Sequence, residues 1–319
     1  MPSSVRDIPR LSDADVRRLR GPRNVVDPRR PYAQFVEPER NARGIVKDVA
    51  TILITNKECP FSCLMCDLWR NTTRVRVPEG AVAAQIEWAL QSLPWTPSVK
   101  LFNAGSFFDD QAIPHGDWPR VATLLEDRNR VVVECHPRLV GRRCLEFAEL
   151  LEPALEVAMG LETVDPQVLP RLNKRMTADD FARATEILTG HGVGVRAFIL
   201  LRAPFQSEEE GVHWAMRSIE YAFSVGVECC SLIPTRGGNG AMEWLAERGH
   251  FAPPSLRSME QVLEYGLGLH RGRVFVDLWD VERFFGCPTC SAQRAGRLAH
   301  MNHRQEVPAP VACGCATRT

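Results

Sequence analysis

Cys59, Cys63 and Cys66 lie within eight residues of one another and are well suited to hold an inorganic centre. Thiolate sulfurs are soft ligands that select iron–sulfur clusters, zinc or copper(I). A structural zinc ion or a closed [4Fe–4S] cluster takes four protein ligands, but the next cysteine along the chain is Cys135. Three thiolates alone would hold a cubane in which one iron stays open for a small ligand. A structural zinc loop and a chance spacing are the alternatives.

Four more cysteines form two pairs near the end of the chain. The pairs have the spacings C-x2-C and C-x-C with 22 residues between them, and comprise Cys287, Cys290, Cys313 and Cys315. Four thiolates in two pairs can form a closed tetrahedral zinc site or bind an auxiliary iron–sulfur cluster. A redox pair or free thiols in a solvated tail are the alternatives. The remaining cysteines are expected to be small buried apolar residues.

The residues around the first cysteines predict how the chain positions them. The run 49–55 is apolar and β-branched, which is typical of a buried strand, so Cys59–Cys66 would lie in the loop at its carboxyl end. Further strands are predicted at 99–103, 131–135, 155–161, 195–201 and 229–233, with another candidate at 274–279. Helices are predicted at 80–93, 144–151, 178–189, 208–224, 241–248 and 259–269. This alternation indicates a parallel sheet with right-handed crossovers.

The cysteine spacing after a first strand resembles the signature of the radical S-adenosylmethionine (SAM) superfamily. The resemblance implies an α/β fold, a partial (β/α)6 TIM-type barrel, here with a C-terminal extension. It implies a [4Fe–4S] cluster at Cys59, Cys63 and Cys66 whose open iron binds SAM, and an electron donor of the flavodoxin or ferredoxin type. Reductive cleavage of SAM would then give a 5′-deoxyadenosyl radical that abstracts hydrogen from a substrate. Met65 stands where the family usually has an aromatic residue.

The resemblance divides the chain into an N-terminal arm at 1–45, a barrel at 46–280 and a cysteine-containing extension at 281–319. Ligands of such barrels gather at the carboxyl ends of the strands. The candidates for cofactor contact at those ends are Asn103, Gly105, Ser106, Glu134, Glu162, Arg202, Leu232 and Ile233. Glycine permits close backbone approach, carboxylates accept hydrogen bonds from ribose or ammonium groups, and arginine pairs with carboxylates. A tight turn and a helix-terminal acid are the alternative interpretations of Gly105 and Glu162.

Three segments resemble one branch of the superfamily more specifically. They are 102–107, 134–137 and 160–163, the last followed by Asn-Lys-Arg at 173–175. The branch contains the Elongator catalytic subunit, the methylthiotransferases and the archaeosine-forming tRNA lyases. The resemblance does not identify a catalytic residue or a substrate.

Composition restricts the partners. The 319 residues include 39 basic and 39 acidic residues, a net charge of zero. The sequence has no strongly basic domain that would indicate nucleic-acid binding. A small-molecule substrate is therefore favoured, and a tRNA substrate stays open. The first residues lack an apolar signal region, and no apolar run is long enough for a membrane span. We therefore expect a cytoplasmic protein that does not bind membranes, in a compartment that keeps thiols reduced.

Two other functions compete with radical generation. One is a noncanonical cleavage that transfers another SAM fragment, such as the aminocarboxypropyl group. The other is a zinc-bound or RNA-binding module without catalysis. Iron content separates the zinc-bound or RNA-binding module from the two enzymes that cleave SAM. The nucleoside product separates radical generation from transfer of another SAM fragment.

Overall fold

An eight-stranded sheet, curled into a half-barrel, is the framework of the computed structural model, which describes residues 10–317. The strands follow one another in space in their chain order; β1 is antiparallel to β2, and all other neighbours are parallel. They are β1 Ala33–Arg40, β2 Val46–Ile54, β3 Ser98–Asn103, β4 Arg130–Glu134, β5 Ala154–Glu162, β6 Gly194–Leu201, β7 Cys229–Pro234 and β8 Arg273–Val276. The predicted α/β half-barrel is confirmed, and the additional strand candidate at 274–279 corresponds to β8.

Helices connect the parallel strands and cover the outer face of the sheet. They are α1 Asp13–Leu19, α2 Ala81–Ser92, α3 Trp118–Leu125, α4 Arg142–Leu150, α5 Ala178–Gly190, α6 Glu208–Ser224, α7 Ala241–Ala246, α8 Leu256–Gly268 and α9 Ser291–Arg304. Capping boxes start α5 at Thr177 and α6 at Ser207, because each hydroxyl accepts from the third helical amide and an acid there accepts in return. None of the helices in the described part of the chain has the length and apolar character needed to span a bilayer.

The segment predicted as an extended arm contains a strand as well as a helix. Strand β1 pairs with β2 along its whole length, from Ala33 opposite Leu53 to Arg40 opposite Val46. Pro38 lies in this strand. An edge strand tolerates proline because the backbone groups on one of its sides form no ladder hydrogen bonds. The proposed boundaries at 45/46 and 280/281 remain predictions.

Charged residues fill the interior of the half-barrel near the amino ends of its strands. The Arg196 guanidinium contacts carboxylate oxygens of Glu156 and Glu39, each at 2.6 Å. The Lys100 ammonium lies 2.7 Å from the other oxygen of Glu39, and Arg273 lies 3.3 Å from Glu156. This network closes the amino end, so a ligand enters from the carboxyl end.

Helix α9 covers both edges of the curled sheet. The side-chain amide of Asn302 donates to the Val276 carbonyl at 2.8 Å and accepts from its N–H at 2.9 Å. Gln305 makes the same pair of bonds to Val274, at 2.7 and 2.9 Å. At the other edge, the Arg40 guanidinium donates to the His303 carbonyl at 3.3 Å. The bonds to Val274 and Val276 occupy backbone groups of β8 that a free edge strand would expose.

Candidate active site

A cavity of about 160 Å³ opens at the carboxyl ends of the strands, as the barrel geometry requires. Its walls come from the cysteine loop, from the ends of β3, β4 and β5, and from the segment before α5. The residues of chemical interest that line it are Cys59, Cys63, Cys66, Gly105, Glu134, Cys135, His136, Glu162 and Lys174. Six of these were candidates from the sequence: the three cysteines, Gly105, Glu134 and Glu162.

The cysteine loop has little regular structure, so other elements must satisfy its backbone groups. The buried Asn239 amide donates to the carbonyls of Leu64 at 2.8 Å and Cys66 at 3.2 Å. The Leu64 N–H donates to the Leu172 carbonyl at 2.9 Å. Asn239 lies in the glycine-rich segment after β7. The structure shows that its side chain holds the cysteine loop.

The three cysteines of the loop are half-buried. Burial raises the pKa of Cys59, Cys63 and Cys66 to about 12 in each case. Free thiols in this setting stay protonated at neutral pH, and a coordinated metal is what deprotonates them. The fourth cysteine of the wall is engaged differently, since Cys135 donates to the His136 carbonyl at 3.3 Å. Three available thiols thus face one cavity, which fits a centre that needs three protein ligands.

Gly105 allows the end of β3 to approach the cysteine loop. Its φ is +118°, and a Cβ there would lie 3.2 Å from Cys59 Cβ and 3.3 Å from Cys59 Sγ. The side chain of Asn56 pairs with both backbone groups of the preceding Ala104, at 3.0 and 3.1 Å. A larger residue at position 105 would push against the first cysteine while straining its own backbone.

Glu134 ends β4 beside the cavity. Burial raises the pKa of its carboxyl to about 8, although the Asn103 N–H, at 3.3 Å from Glu134 Oε2, and Lys174 oppose this. The group is therefore largely protonated at neutral pH and can donate one hydrogen bond as well as accept others. The buried side-chain amide of Asn103 finds no hydrogen-bond partner among the described residues.

Glu162 and Lys174 form a buried ion pair on the wall of the cavity. The pairing of β5 with β6 shifts register between Gly160 and Glu162, and Glu162 has a φ of 64°. Such irregularities re-aim a side chain and concentrate at functional sites. Burial alone would lower the pKa of Lys174, but the Glu162 carboxylate outweighs it and the pKa is raised. Lys174 was not a candidate, although the Asn-Lys-Arg segment that contains it was singled out.

His136 is a satisfied structural residue. Its ring stacks on Phe61 of the cysteine loop, with 4.0 Å between centroids. Nδ1 accepts from the Arg138 N–H at 3.2 Å, so Nε2 carries the proton and donates to the Lys174 carbonyl at 2.9 Å. Burial lowers the pKa of His136 to about 4, which keeps the ring neutral. The ring thereby links the cysteine loop to the segment that carries Lys174.

Several sequence candidates lie outside the cavity wall. Ser106 Oγ accepts from the Phe108 N–H and lies 3.3 Å from Cys135 Sγ, so it shapes the turn after β3. Arg202 pairs with Glu208 and donates to the Pro253 carbonyl at 2.8 Å. Leu232 is fully buried, and Ile233 packs in a small apolar cluster with Leu200 and Val168. A cofactor role for these residues and for Asn103 stays a prediction.

Arginines surround a second depression next to the cavity. This depression of about 490 Å³ shares Arg20, Glu58 and Trp69 with the first and adds three more arginines. The arginines are Arg17, Arg20, Arg23 and Arg74. Arg20 and Arg23 both pair with Glu58. Four cations against one carboxylate leave a net positive rim.

The structure also brings the four C-terminal cysteines together. The sulfur atoms of Cys287, Cys290, Cys313 and Cys315 all lie within 4.8 Å of one another. Cys287 and Cys290 precede α9, whereas Cys313 and Cys315 lie at the end of the segment that follows it; none of them lines the cavity.

Several known proteins resemble this chain in sequence or in fold. No family model matches the chain. It is 28% identical over 245 residues to archaeosine synthase subunit beta of Methanosarcina acetivorans, covering 71% of this chain and 69% of the relative. It is 30% identical over 212 residues to the protein of that name from Thermococcus kodakarensis, covering 63% of this chain and 65% of the relative. The crystal structure of methylornithine synthase (PylB) superposes with a TM-score of 0.54 at 14% identity, covering 92% of this chain and 82% of PylB.

The cysteine loop after the first parallel strand, the half-barrel and these relatives agree with one another. The chain has the half-barrel fold of the radical SAM superfamily, whose enzymes use a [4Fe–4S] cluster and SAM. Within that superfamily it is similar to the proteins named archaeosine synthase subunit beta. The predicted fold and the resemblance to the archaeosine-related proteins are confirmed, whereas the cofactors and the residues that bind them remain predictions.

Proposed function

We propose that Cys59, Cys63 and Cys66 hold the [4Fe–4S] cluster and that SAM binds in the adjoining cavity. The observation that supports this most directly is the presence of three available thiols in one cavity at the carboxyl end of the barrel. Held by these three cysteines, the cluster would take an electron from a flavodoxin- or ferredoxin-type donor and supply it for the reductive cleavage of SAM, so that hydrogen could be abstracted from a substrate.

Glu162 and Lys174 offer opposite charges to the two charged groups of the SAM amino acid moiety. Carboxylate Glu162 accepts hydrogen bonds from an ammonium group, and the Lys174 ammonium donates to a carboxylate. Both are buried, so each interaction is stronger than it would be in water. In the free protein the two side chains satisfy each other, which avoids an uncompensated buried charge.

Glu134 and Gly105 provide contacts of a different kind. The protonated carboxyl of Glu134 donates to or accepts from a ribose hydroxyl. The missing Cβ of Gly105 leaves room for a ligand beside Cys59. The closed amino end of the barrel and the buried walls restrict the access of solvent and of competing hydrogen donors to the cavity.

The test is anaerobic reconstitution followed by iron analysis and electron paramagnetic resonance of the reduced protein. We expect one cubane per chain in the wild type and a spectrum that changes when SAM is added. Cys63→Ala should lose the signal, whereas Cys230→Ala removes a buried thiol outside the loop and should retain it. A Cys63→Ala protein with wild-type iron and a wild-type response to SAM would refute the assignment.

A tRNA substrate is a second candidate, favoured by one observation. The arginine rim of Arg17, Arg20, Arg23 and Arg74 adjoins the cavity and suits a polyanion, and the relatives are named for archaeosine, the product of the tRNA lyase group that the sequence resembles. A small-molecule substrate needs only the cavity.

The two substrate classes are separated by filter binding of tRNA at several salt concentrations. Arg17→Ala/Arg74→Ala should weaken binding and flatten its salt dependence. Arg142→Ala/Arg183→Ala, which removes two exposed arginines elsewhere, should not. Equal binding by both variants, or none by the wild type, would leave a small molecule as the substrate. Iron content is measured in parallel because Arg17 also donates to Ser62 at 3.0 Å.

A further inference from the structure

The four C-terminal sulfurs have the spacing of ligands around one metal ion. Cys287 Sγ and Cys313 Sγ lie 3.9 Å apart, Cys290 Sγ and Cys315 Sγ lie 3.5 Å apart, and all four fall within 4.8 Å of one another. A tetrahedral zinc ion with zinc–sulfur bonds of about 2.3 Å separates its ligands by about 3.8 Å. A cubane binds its thiolates to four different irons and needs them farther apart. The spacing therefore favours a single ion.

The sequence following α9 returns along the helix and closes the site. Gln305 ends the helix in the left-handed conformation, with a φ of 54°. The 14 residues of α9 extend for about 21 Å at 1.5 Å per residue. The eight residue-to-residue steps from 305 to 313 span about 26 Å when extended. The chain is thus long enough to bring Cys313 back beside Cys290.

Two arginines of α9 hold the returning segment. Arg297 donates to the carbonyls of Ala309 at 2.9 Å and Pro308 at 2.6 Å. Arg294, one turn nearer the helix start, donates to the Val311 carbonyl at 3.3 Å. These contacts lead the returning segment along α9 towards Cys290 at its amino end. They thereby bring Cys313 and Cys315 to the first pair of cysteines.

The surroundings suit a negatively charged tetrathiolate centre. Cys290 immediately precedes α9, whose amino end carries partial positive charge. Arg294 Nε donates to Cys290 Sγ at 3.4 Å. The same guanidinium pairs with Glu260 of α8, which fixes its orientation. Partners of this kind orient metal ligands and tune the metal that they bind.

We propose that Cys287, Cys290, Cys313 and Cys315 bind one zinc ion as a closed structural site. The ion fixes the return segment on α9 and so stabilises the helix that covers the edges of β1 and β8. This proposal is independent of the function of the first cysteine loop, because the two sets of ligands share no residue. A closed tetrathiolate site leaves no coordination position for substrate.

The test measures zinc and iron in the anaerobically purified full-length protein and in two variants. We expect one zinc per chain in the wild type, none in Cys287→Ser/Cys313→Ser, and one in Cys59→Ser/Cys63→Ser, which should instead lack iron. X-ray absorption at the zinc edge should give four sulfur ligands at about 2.3 Å. Wild-type protein with no zinc, or a tail variant that loses iron while zinc is absent throughout, would overturn the proposal.

A second measurement covers the case in which the tail variant does not fold. Zinc is released from the wild type with a thiol reagent and a chelator, and hydrogen exchange is followed by mass spectrometry. We expect exchange in 291–304 and 273–276 to accelerate by at least tenfold, while α5 is unaffected. Unchanged exchange in both segments after complete zinc release would overturn the structural role.

Discussion

The Lys174 ammonium lies against the Glu162 carboxylate on the cavity wall, and Gly160 provides the space that both occupy. A Cβ at position 160 would overlap the Glu162 carboxylate and the Lys174 ammonium. The positions of Gly160, Glu162 and Lys174 therefore depend on one another. Lys174 is distant in sequence from the other two, which are separated by a β-bulge. This makes the pair sensitive to changes that remove no charge.

Gly160→Ala is expected to weaken SAM binding at least tenfold while the protein still folds. The added methyl group must displace the ion pair, since Gly160 is held in the sheet by its pairing with Phe198 of β6. Overpacking of this kind costs about 1–3 kcal/mol of stability. Equilibrium dialysis of radiolabelled SAM with the reconstituted protein measures the affinity, and denaturant unfolding measures the stability.

Gly141→Ala is the matched control, because nothing lies within 4 Å of a Cβ at that position and its φ of 174° is ordinary extended backbone. It should leave SAM affinity unchanged. If Gly160→Ala bound SAM as tightly as Gly141→Ala, the ion pair would not belong to the SAM site.

Lys174→Met should abolish the charge on one side of the pair and leave a buried Glu162 carboxylate without its cation. We expect the affinity for SAM to fall by about 1–2 orders of magnitude, which corresponds to about 1.4–2.8 kcal/mol. Lys47→Met removes an exposed lysine at the start of β2 and serves as the control. Iron content is measured on both variants; normal SAM affinity in Lys174→Met would contradict the proposed role.

The charged network at the amino end predicts a pH dependence of stability. Burial opposes ionisation of Glu156, but Arg196, Arg273 and Arg130 outweigh it and lower its pKa to about 2. A carboxyl whose folded-state pKa lies below its unfolded value stabilises the protein above the unfolded pKa, and this contribution is lost as the pH falls towards the folded value. The loss should therefore extend from about pH 4.5 down to about pH 2.

Glu156→Gln tests this network. Because it leaves buried guanidinium groups without their carboxylate, it should cost about 3–5 kcal/mol at pH 7. The difference from wild type should shrink as the pH falls below 4.5 in urea unfolding experiments. A constant difference between pH 7 and pH 3 would mean that ionised Glu156 does not stabilise the fold. Glu146→Gln, on the partly exposed pair with Arg142, should change stability little.

Local sequence patterns were sufficient to predict the parallel strands and the cysteine loop. The strand ending at Ile54 and the run Cys59–Cys66 are adjacent in sequence, so their relationship needs no long-range information. Strand β1 was missed because Pro38 and its charged residues weaken the strand pattern, and its pairing with β2 compensates for them. Helix α9 was missed because arginines occupy much of its buried face, where they bind carboxylates and carbonyls instead of apolar groups.

The site was predictable where residue type and strand end coincided, as for Glu134 and Glu162. It was not predictable where long-range contacts decided the outcome. Lys174 reaches the cavity because its loop packs on the cysteine loop, directly through the Leu172 carbonyl and indirectly through His136 and Phe61. Arg202 has the residue type and position expected of a group that binds a ligand. Its guanidinium is instead paired with the carboxylate of Glu208, six residues later.

The most direct test of the central claim is product analysis after anaerobic incubation of reconstituted protein with SAM and dithionite. Liquid chromatography with mass spectrometry would follow 5′-deoxyadenosine in the wild type and in Cys59→Ala/Cys63→Ala/Cys66→Ala. We predict 5′-deoxyadenosine from the wild type and none above background from the triple variant. Accumulation of 5′-methylthioadenosine in its place would indicate transfer of the aminocarboxypropyl group, and equal 5′-deoxyadenosine from both proteins would contradict the assignment of these cysteines as cluster ligands.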